Sequence, residues 1–314
     1  MDVRASVVLH EKGVFVLLSL ECLDGRELVG MAREQFGASG ESLEFVPLGE
    51  DSWSYRLGDL WVSVRRDLRG HFPASYEAAR IMKDAGLDFV LAPLRGLDGK
   101  VSHTIGGFPV VVFPYVSAVS VDTISLLDHE VDELVRMMGQ VHGTLVSGDL
   151  PREDYRISFA EDIAEALAAV RRPAPSGGPF GIRMHALLRK HAEAIAGMVA
   201  ELDRIGEECA ASDDPFVITH GEPGAPNILR GEDGFLFADW GEMMWGPAER
   251  DWFHFARTLG RTPRCRPQFM RFYELRWALN EISEYAGIFL GEHADDAETQ
   301  AMWRRLLNYL PEVG

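Results

Sequence analysis

The sequence predicts an α+β protein in two lobes, a small antiparallel β lobe followed by a mainly helical one. Three observations carry this reading. Between residues 43 and 116, short runs with strand-like alternation surround a single helical segment. From about residue 119 the apolar spacing becomes helical and stays so almost to the end. One polar hairpin, over 216–240, interrupts those helices and gathers histidine, carboxylates and asparagine on a short stretch.

The elements follow in order. "RASVVLH" and "GVFVLLSL" around "HEKG" are expected to pair as an N-terminal hairpin extension over residues 1–25. "GRELVGMAREQFG" (25–37) reads as a helix stopped by its glycine. Strands are expected at 43–49, 52–57 and 60–66, then a helix over 73–86 ending at Gly86. Two more strands, 100–105 and 108–116, are joined by a "GG" turn. These elements delimit a β-rich N-lobe at 26–114, with a hinge near Pro114 to Ser117. The remainder, 115–314, is the helical C-lobe, with helices expected at 126–146, 159–172, 179–210, 269–290 and 297–310.

Composition narrows the function classes. The net charge of −18 argues against a nucleic-acid backbone as partner and suits a cationic small molecule. Of the 31 basic residues 27 are arginine, and the lysines stand only at 12, 83, 100 and 190. No run of about 18 apolar residues is present, so no membrane span is expected. Cys22, Cys209 and Cys265 are scattered without metal-ligand or disulfide spacing, which points to a reducing cytoplasm.

The chemistry concentrates in "THGEPGAPNIL" (219–229) and in "LFADWGE" (236–242) after the hairpin turn. Metal-assisted phosphoryl transfer needs a carboxylate near the acceptor hydroxyl and hard oxygen ligands for a divalent cation. Asn227 and Asp239 are the candidate Mg²⁺ ligands and Glu222 the candidate base. His-x-Glu or Asn after proline is ordinary by itself, and the conjunction at this spacing is what points to catalysis.

With "YEAARIMKDAG", "VVVFPYV" and "GPAERDWFHF", these motifs resemble the aminoglycoside phosphotransferase and choline kinase family, which has a bilobal protein-kinase-like fold. The resemblance runs from about residue 26 to the end and is nearest to the spectinomycin phosphotransferase branch and its actinobacterial relatives. It implies catalytic roles for Glu222, Asn227 and Asp239, a scaffolding role for His220 and a structural place behind the loop for Asp251. It also implies ATP or GTP as donor, Ser52 in the loop "LGEDSWS" over the phosphates, and the backbone at Pro114 and Val116 against the base. Two positions depart from the pattern. Glu222 stands where the family usually has aspartate, and no lysine lies between Lys12 and Lys83 to supply the usual strand cation. Ser63 falls at that lysine position, Arg65 lies two residues on along the same face, and Glu77 is the expected helix partner.

For the acceptor, Trp277, Glu281 and Glu284 share one face of the helix over 269–290, and Glu242 follows the Asp-Trp-Gly motif. An aromatic plate with carboxylates suits an amine-bearing ring compound. His142 and His254 lie on helical patterns and read as core or surface histidines rather than ligands. The expected activity is phosphorylation of an aminoglycoside, an aminocyclitol or a related cationic natural product, by a monomer or homodimer. A metabolic kinase of choline, homoserine or a sugar, or a nucleotide-binding pseudokinase, are the alternatives.

Overall fold

The structure is a computed structural model that describes residues 24–46, 52–65, 72–146, 148–174 and 178–311. The chain divides into two compact units, one of Met1–Glu153 with Pro215–Arg264 and one of Asp154–Asp214 with Cys265–Gly314. The hairpin expected over residues 1–25 lies almost wholly outside the described residues, as do residues 47–51 of the expected phosphate loop.

In chain order the first unit contributes α1 (Gly25–Phe36), β1 (Glu44–Val46), β2 (Ser52–Leu57), β3 (Leu60–Arg65), α2 (Pro73–Asp84), β4 (Ser102–Ile105), β5 (Phe108–Pro114), β6 (Val119–Ser120) and α3 (Asp128–His142). The second unit follows with α4 (Ala160–Ala169) and α5 (Gly181–Ala210). The chain re-enters the first unit as β7 (Val217–Thr219), β8 (Ile228–Gly231), β9 (Gly234–Phe237), β10 (Met244–Gly246) and α6 (Glu249–Leu259). It ends in the second with α7 (Pro267–Leu290) and α8 (Ala297–Leu306).

Strands β1 to β5 form one antiparallel sheet in the order β1-β2-β3-β5-β4. The turn between β4 and β5 is Gly106-Gly107, both at positive φ (58° and 88°), as a tight hairpin turn needs. Alternation along the strands sorts the two faces. Trp53, Tyr55, Leu57, Leu60, Val62, Val64, Val110 and Val112 pack with Leu28 and Ala32 of α1. The opposite face mixes polar groups, with Ser54 across from Ser63 and Ser52 across from Arg65, and apolar ones, with Val111 and Phe113 packed against Tyr76 of α2. Helix α1 is capped by Asp24, whose side chain accepts from the Arg26 N–H, and stops at Gly37 with φ 66°.

The hairpin β8–β9 is broader than expected, because β6 adds to it as a third strand. A second small sheet pairs β7 with β10. Neither β6 nor β10 shows a period in sequence, being two and three residues long. Chain from the end of α2 covers β9. The Phe237 N–H donates to the Phe89 carbonyl (2.8 Å), and its carbonyl accepts from the Leu91 N–H (2.9 Å). The Phe237 ring is fully buried against Phe89, His220, Trp240 and Phe255.

In the second unit α5, α4 and α8 pack on α7, and Arg271 of α7 bonds both carboxylate oxygens of Glu201 on α5 (3.0 Å each). Among the described residues no helix is long and apolar enough to cross a membrane.

Phe237 is the aromatic hub of the first unit, so Phe237→Ala is expected to cost about 3–5 kcal/mol in urea unfolding. A loss below about 1 kcal/mol would show that the surrounding rings close over the gap.

Candidate active site

Strand β7 delivers Thr219 and His220 to a loop whose backbone is held from behind. The Asp251 carboxylate, fully buried at the start of α6, accepts from the His220 N–H and the Gly221 N–H (2.9 Å each). His142 of α3 donates to the same carboxylate through Nε2 (2.9 Å) and stacks edge-on against Trp252. Burial alone would raise the Asp251 pKa, but the hydrogen bond from His142 and the Arg250 charge hold the carboxyl below its usual range. A charge this deep persists only because its oxygens are filled by donors.

The His220 ring is the second tie. Its Nε2–H donates to the Ala238 carbonyl (2.8 Å) and its Nδ1 accepts from the Glu222 N–H (3.3 Å). One donor and one acceptor define the neutral imidazole, and burial pushes its pKa down. The ring lies 4.4 Å from that of Trp240. His220 thus joins the loop bearing Glu222 to the segment bearing Asp239.

Asn227 closes a 3₁₀ turn over Ala225–Asn227. Its Nδ2 donates to the Glu222 carbonyl (2.9 Å), and its own carbonyl accepts from the Ala238 N–H (2.9 Å). The β8–β9 hairpin therefore sets Asn227 beside the residue that precedes Asp239. With Nδ2 engaged, Oδ1 is the acceptor that the amide has left to offer a ligand. Asp239 has φ 61°, a left-handed conformation that costs a non-glycine residue about 1–2 kcal/mol, and its side chain is half exposed. An amide oxygen and a half-exposed carboxylate are hard donors that would fit Mg²⁺ with phosphate and water oxygens completing its shell. Among the described residues no group of three or more His, Cys, Asp and Glu is suited to a metal.

Helix α2 and β3 reach the same segment. Ser75 Oγ donates to the Met243 carbonyl (2.8 Å), and the Tyr76 hydroxyl sits 2.9 Å from where a Cβ on Gly241 would lie. Only glycine admits α2 this closely. From β3, Arg65 brings Nη1 to 3.7 Å from Asp239 Oδ1. Glu77, expected to pair with Arg65, instead forms a two-point pair with Arg95 (2.9 and 3.3 Å), and Arg95 also donates to the Gly99 carbonyl (2.7 Å). The Glu77 position on α2 aims outward, and Arg95, 18 residues on, folds back to meet it.

Elsewhere on this sheet face, Ser52 Oγ lies 3.4 Å from Ser54 Oγ. Pro114 pairs with Leu60. The Tyr115 N–H donates to the Asp59 carbonyl (2.8 Å), whereas the Val116 N–H has no hydrogen-bond partner among the described residues. Arg56 stacks its guanidinium 4.0 Å above the Tyr115 ring, beside Trp61. Arg56 and Trp61 escaped the sequence reading, although strand parity places them on the face of Ser52 and Arg65. Glu242 is half exposed, 3.5 Å from Arg250 Nη2. Trp277, Glu281 and Glu284 lie on α7 of the second unit. There Glu284 accepts from Asn280 Nδ2 (2.9 Å), and burial, with the nearby Glu281 charge, pushes the Tyr285 hydroxyl pKa up.

Residues 48–287 match the phosphotransferase enzyme family (APH), and the chain belongs to that family. Protein StrN of Streptomyces griseus is 43% identical, covering 95% of this chain and 97% of its own. Among solved structures, the spectinomycin phosphotransferase APH(9)-Ia bound to ADP and spectinomycin superposes with a TM-score of 0.74 at 16% identity, over 91% of this chain and 94% of that one. A GDP and kanamycin complex of an APH(2″) enzyme gives 0.55 at 14% identity, over 90% and 98%. At these identities the two structures establish a shared kinase-like fold.

His254, buried on α6, has its pKa pushed from 6.5 down to about 3 by burial first, and His220 is shifted the same way. Both stay neutral in the folded state while the unfolded chain takes up protons below its ordinary pKa near 6.5. Stability is therefore expected to be full above that pH and to fall below it, by up to about 1.4 kcal/mol per pH unit per histidine. Urea melts from pH 8 to 5 check this. His254→Asn should flatten the slope, and an unchanged slope would exclude His254 as a contributor.

Proposed function

We propose that the chain moves the γ-phosphate of ATP or GTP, presented with Mg²⁺, to a hydroxyl of a cationic natural product such as an aminoglycoside or aminocyclitol antibiotic, and so confers resistance by modification in the cytoplasm. The observation that carries this reading is the arrangement of Asn227 and Asp239 at the base of one hairpin, with the Glu222 loop bonded to Asn227 and, through His220, to Ala238, and Arg65 beside Asp239. The net charge of −18 supports a cationic acceptor. So does the likeness to a fold whose solved member holds spectinomycin.

In this reading Glu222 orients the acceptor hydroxyl and takes its proton. Glutamate serves where aspartate is usual because a loose phosphoryl transition state asks little of its base. Asn227 and Asp239 would hold the metal, which would supply charge neutralisation on the phosphates. Arg65 and Ser52 face the phosphates, in a lobe formed by residues 26–114, and the backbone at Pro114 and Val116 meets the base. Glu242 meets the acceptor's amines, and the Trp277, Glu281 and Glu284 face of α7 is a further surface of the same chemistry.

Nucleotide turnover with Mg²⁺ should be measured against spectinomycin, kanamycin, streptomycin, choline and homoserine. Turnover is expected with a cationic antibiotic, and Glu222→Gln and Asp239→Asn should each lower kcat by about 10²-fold or more. Turnover of choline or homoserine alone would replace the antibiotic reading with a metabolic kinase. Nucleotide binding without turnover on any acceptor would replace both with a binding protein.

Arginine and lysine differ in reach and hydration at a phosphate. Arg65→Met is expected to raise the KM for nucleotide about tenfold, a loss of about 1.4 kcal/mol, with the acceptor KM nearly unchanged. An unaltered nucleotide KM would remove Arg65 from the phosphate site.

A further inference from the structure

The residue before Asp251 is a buried cation with no role in the reading above. Arg250 is 3% exposed, and its Nε is a buried donor without a hydrogen-bond partner among the described residues. Its Nη1 donates to Thr219 Oγ1 (3.1 Å), and that hydroxyl in turn donates to the Met244 carbonyl (3.0 Å). Its Nη2 lies 3.5 Å from Glu242 Oε2.

The guanidinium also sits directly against Gly221. A Cβ there would meet Nη1 at 2.7 Å, Nη2 at 2.8 Å and the Glu242 Cβ at 3.0 Å. Gly221 has φ 113°, so conformation and space both exclude a side chain. Glu222 is the next residue. One buried cation therefore touches the strand entering the loop, the glycine before Glu222 and the carboxylate three residues past Asp239.

Adjacent residues of α6 hold the loop by opposite means. Asp251 takes the N–H groups of His220 and Gly221, and Arg250 fills the space against Gly221 and takes the Thr219 hydroxyl. Among the described residues Glu242 is the carboxylate within ion-pair distance of this cation. The Glu242 side chain remains 55% exposed, so Arg250 holds it on its inner side while its outer side faces solvent.

We propose that Arg250 is a positioning residue of the phosphotransfer site, setting the loop that carries Glu222 and holding the Glu242 carboxylate toward the acceptor's cationic group. This rests on the roles proposed for Glu222 and Glu242, and it predicts that acceptor recognition and loop order share one anchor.

Arg250→Met keeps most of the volume and removes the fork, and Arg250→Lys keeps the charge but not the fork. Two measurements on the full chain test the idea. In amide hydrogen exchange, Arg250→Met should speed the Gly221 and Glu222 amides about tenfold or more while helix α5 keeps its protection. In kinetics with the panel antibiotic that the wild type phosphorylates fastest, the acceptor KM should rise about tenfold while the nucleotide KM stays within about threefold. The variant combining Arg250→Met with Glu242→Gln should lose little more than either alone, since both act through one contact. Arg250→Lys should fall between Arg250→Met and wild type, and guanidinium ion should partly restore the Met variant. If Arg250→Met does not fold, the same readouts on Arg250→Lys decide. Unchanged exchange at Gly221 and Glu222 in a folded variant would overturn the proposal, as would equal shifts in both KM values. A wild type that phosphorylates nothing would sink the acceptor reading alone, because the exchange result still decides whether Arg250 orders the loop.

Discussion

The first unit is organised around one carboxylate that solvent does not reach. Asp251 is expensive to bury, since an ionised carboxylate in a low-dielectric interior costs several kcal/mol unless its lone pairs are filled. Here two backbone N–H groups and one imidazole fill them. Those donors come from α3 and from the turn after β7, while Asp251 itself belongs to α6. Three elements distant in sequence thereby meet at one point, and any displacement of the loop would strand a buried charge. The rigidity of the loop under Glu222 follows from that penalty.

His220 passes this constraint on. A neutral ring with one donor and one acceptor can bridge two strands of chain without adding charge, and burial keeps it neutral. It connects Glu222 to Ala238, so the Asp251 clamp also governs where β9 ends. Beyond Ala238 the backbone is strained at Asp239, and the neighbours hold that strain. The Trp240 Nε1–H donates to the Phe237 carbonyl (2.7 Å), Tyr76 crowds Gly241, and Ser75 bonds Met243. A left-handed aspartate fixed on both sides is how a half-exposed carboxylate is aimed without being buried.

Much of this was legible in the sequence, and what was not has identifiable causes. The strand over 52–57 and the helix over 73–84 follow from alternation and from 3.6-residue spacing, both local properties. Strand parity likewise put Arg65 on the face of Ser63. Strands β6 and β10 were invisible because two or three residues carry no period, and only partners far along the chain make them strands. The Glu77 partner was misread for the same kind of reason. A helix glutamate and a strand arginine looked complementary, but the fold returns Arg95 to Glu77 from the stretch after α2. Arg250 was hidden beside Asp251, because nothing local tells a buried arginine from a solvated one on an amphipathic helix.

The two pairs that replace the expected one have different characters. Glu77–Arg95, extended to the Gly99 carbonyl, ties α2 to the turn before β4, and both side chains are partly exposed. It is a fastening of surface groups, worth at most about 1 kcal/mol. Arg65–Asp239 is loose at 3.7 Å, with a buried guanidinium and a half-exposed carboxylate. A lysine paired to the helix glutamate would serve both ends with one contact. Splitting the work lets α2 be anchored by Arg95, Ser75 and Tyr76, while the cation of β3 stands next to the carboxylate on the chemical side of the hairpin. The loop and hairpin that carry Glu222, Asn227 and Asp239 are tied from the other side, through Asp251, His220 and the Ala238 backbone.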